Sequence, residues 1–111
     1  MLNSSDILRG YTDTIILAQL VHEDSYGYNI SKNVQEITGG ELQLKEATLY
    51  TTFRRLESAG VIESSWGNEN AGARRRYYHL TDAGRRLYEE NLADWRKYRA
   101  VISQLVGLEE A

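Results

Sequence analysis

The sequence predicts a mainly α-helical α+β domain, a winged helix-turn-helix followed by one long C-terminal helix. Three segments with helical spacing of apolar residues come first, two short strand-like runs follow them, and a long helical pattern closes the chain. At 111 residues the chain has room for one compact unit. Within it, we expect residues 1–81 to form the winged helix-turn-helix and residues 82–111 to form the terminal helix.

A first helix is predicted between a serine cap, at Ser4 or Ser5, and about Val21. Its apolar residues fall on one helical stripe, formed by Ile7, Leu8, Tyr11, Ile15, Ala18 and Val21. A second helix is predicted after Ser25, whose side chain can cap its first turn, and it ends at the glycines of positions 39–40. Its apolar face is formed by Ile30, Val34 and Ile37.

The third helix spans about Lys45 to Ser58 and has two distinct faces. At about 100° per residue, Leu49, Phe53 and Leu56 share a narrow arc and are expected to face the core. The opposite face carries hydroxyl and guanidinium groups, on Thr48, Tyr50, Thr51, Arg54 and Arg55. Such groups contact phosphates and base edges, so this face, together with Lys45, is the candidate DNA surface. A solvated helix face has a similar composition, and that alternative stays open.

Two strand-like runs, residues 61–66 and 73–80, flank a segment rich in glycine and asparagine, which predicts a β-hairpin. Arg74, Arg75 and Arg76 follow its tip. Because alternate residues of a strand point to opposite faces, we expect only one or two of these arginines to reach one row of phosphates. Arginines on an edge strand also prevent aggregation between sheets, which is the other interpretation of this run.

The last helix is predicted to follow a cap at Thr81 and to continue from Asp82 to about Val106. Its apolar residues follow a heptad pattern, which places Tyr88, Asn91, Trp95, Tyr98, Ile102 and Leu105 at a and d with Leu92 and Val106 beside them. A stripe of this kind is too apolar to stay exposed, so we expect it to join two copies of the chain. The expected contacts of this homodimer are Tyr88, Leu92, Tyr98, Ile102 and Leu105.

Composition argues against several classes of function. The chain has no cysteine, which excludes disulfides, thiolate metal sites and thiol nucleophiles. Neither histidine has further ligands at metal spacing, and no catalytic motif is present, so we expect no metal, no cofactor and no enzymatic activity. No apolar run reaches the roughly 20 residues that span a bilayer. With no signal-peptide pattern at the N-terminus, a cytoplasmic location is expected and no membrane partner.

The formal net charge of −3 argues mildly against a nucleic-acid partner. Its distribution matters more, because arginines gather in the third helix and the hairpin while acidic residues gather near the C-terminus. A chain with one basic face and an acidic remainder can still bind DNA. The rival interpretation is a protein-interaction module with the same fold and no DNA role, which the acidic total favours.

Three stretches of the chain resemble the PadR family of bacterial transcriptional regulators, in its subgroup with a short C-terminus. Residues 46–62 resemble the family's recognition helix and its exit, residues 72–85 resemble its wing, and residues 26–30 resemble the start of its second helix. The resemblance implies a dimeric winged-helix repressor that binds double-stranded DNA at a palindromic operator.

The resemblance also implies a planar hydrophobic effector at the dimer interface. In a multidrug-sensing member of the family, a tryptophan at the position of Trp95 stacks on planar drugs in a pore. Ile7 and Asp13 from the first helix and Arg99 from the last are expected at the same pore. Arg99 stands where that relative has an acidic residue, so a preference for lipophilic cations does not carry over. From the heptad pattern alone, Trp95 is ordinary coiled-coil core.

Overall fold

The computed structural model describes residues 11–67 and 74–108. Within these ranges the elements, in chain order, are α1 (Thr12–Gln19), β1 (Ser25–Tyr26), α2 (Gly27–Ile37), α3 (Glu46–Ser58), β2 (Ile62–Trp66), β3 (Arg76–Leu80) and α4 (Asp82–Leu105). This order confirms the predicted fold class, a winged helix-turn-helix with a long terminal helix. The expected serine cap, Ile7, Leu8, Ala73 and the tip of the hairpin lie outside the described residues.

The three strands form one antiparallel sheet in the order β1-β3-β2. β2 and β3 are the predicted hairpin. β1 was not predicted, and it pairs Ser25 with Tyr78 on the other side of β3. Ser25 is therefore not the cap of α2, because its backbone is engaged in the sheet and the helix begins two residues later. Its buried hydroxyl accepts a hydrogen bond from the Asn29 side-chain amide at 2.8 Å.

One core of buried apolar side chains joins the helices to the sheet. It is formed by Ile16, Leu17, Leu20, Ile30, Val34, Leu42, Leu44, Leu49, Phe53, Leu56, Val61, Ile62, Tyr78 and Leu80. The predicted core face of α3 is confirmed, since Leu49, Phe53 and Leu56 are all buried. The Phe53 ring stacks on Tyr78 of β3, with centroids 3.9 Å apart and ring planes 16° from parallel.

Two predicted apolar stripes are only partly buried. In α1 the buried residues are Ile16 and Leu17. Of the predicted stripe, Ile15 and Val21 are partly buried against the same core, and Tyr11, Ile15 and Ala18 line a groove toward α4. The helix is apolar on both sides, and helical spacing does not rank one stripe above the other. In α2, Ile37 is 74% exposed. The chain turns back directly after it, where the Leu42 amide donates a hydrogen bond to the Thr38 hydroxyl at 3.1 Å.

The first turn of α4 lies against the exit from α3. Thr81 caps α4 as predicted, because its hydroxyl accepts a hydrogen bond from the Gly84 amide at 3.1 Å. The same hydroxyl donates to the Gly60 carbonyl at 2.8 Å. A Cβ atom at Gly84 would overlap the Val61 carbonyl oxygen. A residue without a side chain is thus required at the point where the terminal helix joins the winged helix.

We expect Gly84→Ala to lower the free energy of unfolding by about 1–3 kcal/mol, because the added methyl forces the backbone apart in a closely packed site. Helix propensity alone predicts the opposite sign, a gain of up to about 1 kcal/mol. Urea unfolding followed by circular dichroism distinguishes the two. Ala83→Gly, at an exposed position of the same turn, measures the propensity effect alone. A Gly84→Ala variant as stable as the parent would contradict the close approach.

Candidate nucleic-acid interface and ligand groove

The outward face of α3 presents the polar side chains that the sequence assigned to DNA. Lys45, Tyr50, Thr51, Arg54 and Arg55 are exposed and Thr48 is half-buried. Successive helix residues are turned by about 100°, so the five side chains that belong to α3 spread over a wide arc opposite the core, while Lys45 lies at the N-cap that precedes the helix. Arg54 lies near the middle of that arc, while Arg55 lies on the flank that faces α1.

Arg55 has a partner within the chain. Its Nη1 and Nη2 atoms donate hydrogen bonds to the two carboxylate oxygens of Asp13 in α1, at 2.7 and 2.6 Å. The hydrogen bond and the charge of Asp13 raise the pKa of Arg55 above its ordinary value. The side chains remain 57% and 31% exposed, respectively. Sequence reasoning assigned Arg55 to DNA and Asp13 to a ligand pore, and the structure pairs them with each other.

The opposite flank of α3 contacts the wing through a small polar network. Glu57 lies 3.5 Å from Arg76 of β3, measured between Oε1 and Nη2. Ser64 of β2 donates a hydrogen bond to Glu57 at 2.5 Å and accepts one from Arg76 at 2.8 Å. Arg76, another residue predicted to contact DNA, is therefore also held by a carboxylate of its own chain.

A cleft of about 490 Å³ separates the start of α2 from the wing. It is lined by Tyr26, Gly27, Tyr28, Tyr50, Trp66, Arg74, Arg75 and Arg76. Arginines and aromatic rings contact each other there. The guanidinium carbon of Arg75 lies 4.8 Å from the centre of the Tyr26 ring, and that of Arg76 lies 5.5 Å from the Trp66 ring.

Arg74 lies at the wing end of this cleft, where its Nε donates to the Gly67 carbonyl at 3.2 Å. The cleft thus brings all three predicted wing arginines together with Tyr50 of the α3 face. Sequence reasoning missed Tyr26 and Tyr28 as members of this surface. The sequence did offer one signal, a pair of tyrosines on either side of a glycine at the start of α2. In the structure Tyr28 is 72% exposed.

A second, more apolar groove of about 670 Å³ lies between α1 and α4. It is lined by Tyr11, Thr14, Ile15, Ala18, Tyr88, Leu92 and Trp95. The predicted ligand residue Trp95 lies here, with the guanidinium carbon of Arg99 5.2 Å from its ring centre. Asp13 does not line the groove, and Ile7 lies outside the described residues. Tyr88 and Leu92, predicted as dimer contacts, line the groove of their own chain.

Beyond the groove, α4 presents an apolar stripe that the described part of the chain leaves exposed. Tyr98 and Ile102 are 57% and 56% exposed, and Leu105 is 79% exposed. These are the remaining residues predicted to join two copies of the chain. Across residues 11–67 and 74–108, no cluster of His, Cys, Asp or Glu is suited to a metal ion, and no helix is long and apolar enough to cross a membrane.

Comparisons with known proteins identify the family. The profile of the transcriptional regulator PadR-like family matches residues 16–90, which include α2, α3 and both strands of the wing. A protein from Lysinibacillus sphaericus is 41% identical over 106 residues, which cover 95% of this chain and 97% of that protein.

Solved structures agree with the family assignment. A transcriptional regulator from Clostridium thermocellum is similar with a TM-score of 0.84 and 44% identity, covering 91% of this chain and 98% of that one. A PadR family transcription regulator from Clostridium difficile is similar with a TM-score of 0.77 and 39% identity, covering 86% and 98%. The chain described here belongs to the PadR-like family of DNA-binding transcriptional regulators.

Proposed function

We propose that this regulator is a homodimeric repressor, that it binds a palindromic operator, and that a planar hydrophobic molecule between α1 and α4 releases it. The observation that carries the proposal is that the polar face of α3 and the arginine-lined cleft adjoin. Tyr50 belongs to both. A continuous surface of hydroxyl, guanidinium and aromatic groups is suited to a duplex, where phosphate contacts fix position and base contacts add specificity.

In the proposed complex α3 enters a major groove and the wing follows the adjacent backbone. Lys45, Arg54, Arg74 and Arg75 supply positive charge for phosphates. Thr48, Tyr50 and Thr51 supply hydroxyl groups for phosphates or base edges. Arg55 and Arg76 each contact a carboxylate of their own chain, which competes with a phosphate for the guanidinium.

We expect Arg54→Ala to weaken operator binding and to make the slope of log affinity against log salt shallower by about one unit per half-site. The probe is a duplex enriched from a random pool by the wild-type protein, with binding followed by fluorescence anisotropy. Arg86→Ala, at an exposed position of α4, removes the same charge outside the proposed surface. An Arg54→Ala variant with wild-type affinity and slope would remove Arg54 from the interface.

A palindromic operator requires two recognition helices related by two-fold symmetry. α4 provides the surface for such a dimer, because its 24 residues extend about 36 Å at roughly 1.5 Å per residue. Its exposed stripe and the apolar groove adjoin along the same helix. Pairing two copies through α4 would cover both at once.

We expect Ile102→Glu to produce a monomer, because the substitution places unpaired charge within the apolar seam. Light scattering at matched concentrations measures the mass. Gln104→Glu is the control, since it adds a negative charge to the same turn at an exposed position outside the stripe. A dimeric Ile102→Glu variant would place the interface elsewhere. A monomeric parent would refute the proposed dimer.

The groove has the dimensions and lining of a small-molecule site. Its volume of about 670 Å³ falls within the common range of about 300–1,000 Å³ for such sites. Trp95 offers an indole face on which planar rings can stack. Arg99 lies over that indole and brings positive charge to this end of the groove, which favours neutral or anionic ligands there.

We expect a planar dye to quench Trp95 fluorescence saturably in a Trp66→Phe background, where Trp95 is the one remaining tryptophan of the two. Anionic pyrenesulfonate and cationic acridine orange, both planar, report the charge preference, and the anion should bind more tightly. In a Trp95→Ala variant, the dye's own fluorescence change should be lost while DNA binding persists. If neither dye quenches saturably, Trp95 serves in coiled-coil packing between two copies of α4 and is not a ligand platform.

A further inference from the structure

We propose that Asp13 is a positioning residue for DNA binding, which fixes α3 against α1 by holding Arg55. We call this ion pair the brace. Arg55 serves in the brace and not as a phosphate ligand. The inference rests on the proposed operator binding. Under this inference, the orientation of α3 on DNA depends partly on Asp13, which lies outside the proposed DNA surface.

The geometry of the pair supports a brace. Arg55 uses both of its terminal nitrogens on the two oxygens of one carboxylate, at 2.7 and 2.6 Å. Paired contacts of this kind fix an angle as well as a distance, because the guanidinium fork and the carboxylate are both planar. The two residues are 42 positions apart in sequence, so the pair constrains two helices and not one local turn.

The position of Arg55 on α3 supports the same role. A rotation of about 100° separates neighbouring helix residues, so Arg54 and Arg55 cannot point in one direction. Arg54 occupies the middle of the outward face, whereas Arg55 turns sideways to α1. On the other flank, Glu57 contacts Arg76 and Ser64 of the wing. Ion pairs therefore hold α3 on both flanks, to α1 and to the wing. In the proposed complex the central part of its outward face remains available to contact DNA.

Apolar packing alone fixes the orientation of α3 relative to α1 less well. The hydrophobic attraction between α1 and α3 is non-directional, so it opposes separation of the helices more than it opposes sliding or rotation. A directional contact at the helix flank restricts those remaining motions. Base contacts are sensitive to such motions, whereas the attraction between arginines and any duplex is not.

The test uses variants that separate charge from geometry. Arg55→Lys keeps the positive charge but cannot form the paired contact, and Asp13→Asn keeps the size but loses the charge. We expect each to weaken binding to the selected duplex by about threefold or more. The salt slope and the affinity for a scrambled duplex of equal length should stay as in the wild type. Asp13→Glu, which retains a carboxylate, should recover most of the affinity.

Three controls distinguish positioning from loss of fold. Asp24→Asn removes an exposed carboxylate that contacts His79 at 2.7 Å, and it should leave operator binding unchanged. The double variant Asp13→Asn/Arg55→Lys should bind no more weakly than the weaker single variant, because both remove one interaction. Thermal unfolding by circular dichroism must show every variant folded at the assay temperature.

Two results would overturn the inference while leaving the proposed function intact. One is an Arg55→Lys variant that binds the selected duplex like the wild type. The other is an Asp13→Asn variant that binds more tightly with a steeper salt slope, which would make Arg55 a phosphate ligand restrained by Asp13. A wild-type chain that does not distinguish any selected duplex from the scrambled one would instead refute operator binding, and the brace with it.

Discussion

The stack of Phe53 on Tyr78 holds α3 and the wing together as one body. Phe53 points inward from α3, and its ring lies 3.9 Å, centre to centre, from a tyrosine on the central strand of the sheet. Burial raises the pKa of the Tyr78 hydroxyl, as expected for a ring enclosed by the core. Tyr50 adds an edge contact to Phe53 at 5.9 Å. The aromatic cleft and the polar face of α3 keep a common orientation because this stack fixes α3 on the sheet.

α1 connects this body to the groove. Its buried residues, Ile16 and Leu17, belong to the core, while Ile15 and Ala18 line the cavity shared with α4. Asp13 precedes the groove residue Thr14 and contacts α3 through Arg55. A molecule that fills the groove would therefore contact a helix that is itself joined to α3 by this ion pair. By linkage, such a molecule lowers DNA affinity only to the extent that it prefers the arrangement that DNA does not.

Sequence patterns predicted the parts of this architecture that are encoded locally. α3 was identified with its correct inner face because it has a single apolar stripe, and α4 because a capping threonine precedes a long helical pattern. α1 has two apolar sides, so spacing alone chose the stripe that lines the groove. β1 has two residues and depends on Tyr77 and Tyr78 for its pairing. The Asp13–Arg55 pair was missed for the same reason, since no local pattern joins residues 42 positions apart.

The pairing of arginines with carboxylates also affects how a chain of formal charge −3 would bind DNA. Of the cations around α3, Arg55 and Arg76 each contact an acidic residue of their own chain. In the proposed complex this lowers the charge-driven attraction that every duplex shares. The preference for the operator over other duplexes then depends more on the contacts of Thr48, Tyr50 and Thr51 with the bases. Those contacts depend in turn on the orientation of α3. A moderate net charge and a firmly held recognition helix thus favour the same outcome, a larger ratio of specific to non-specific binding.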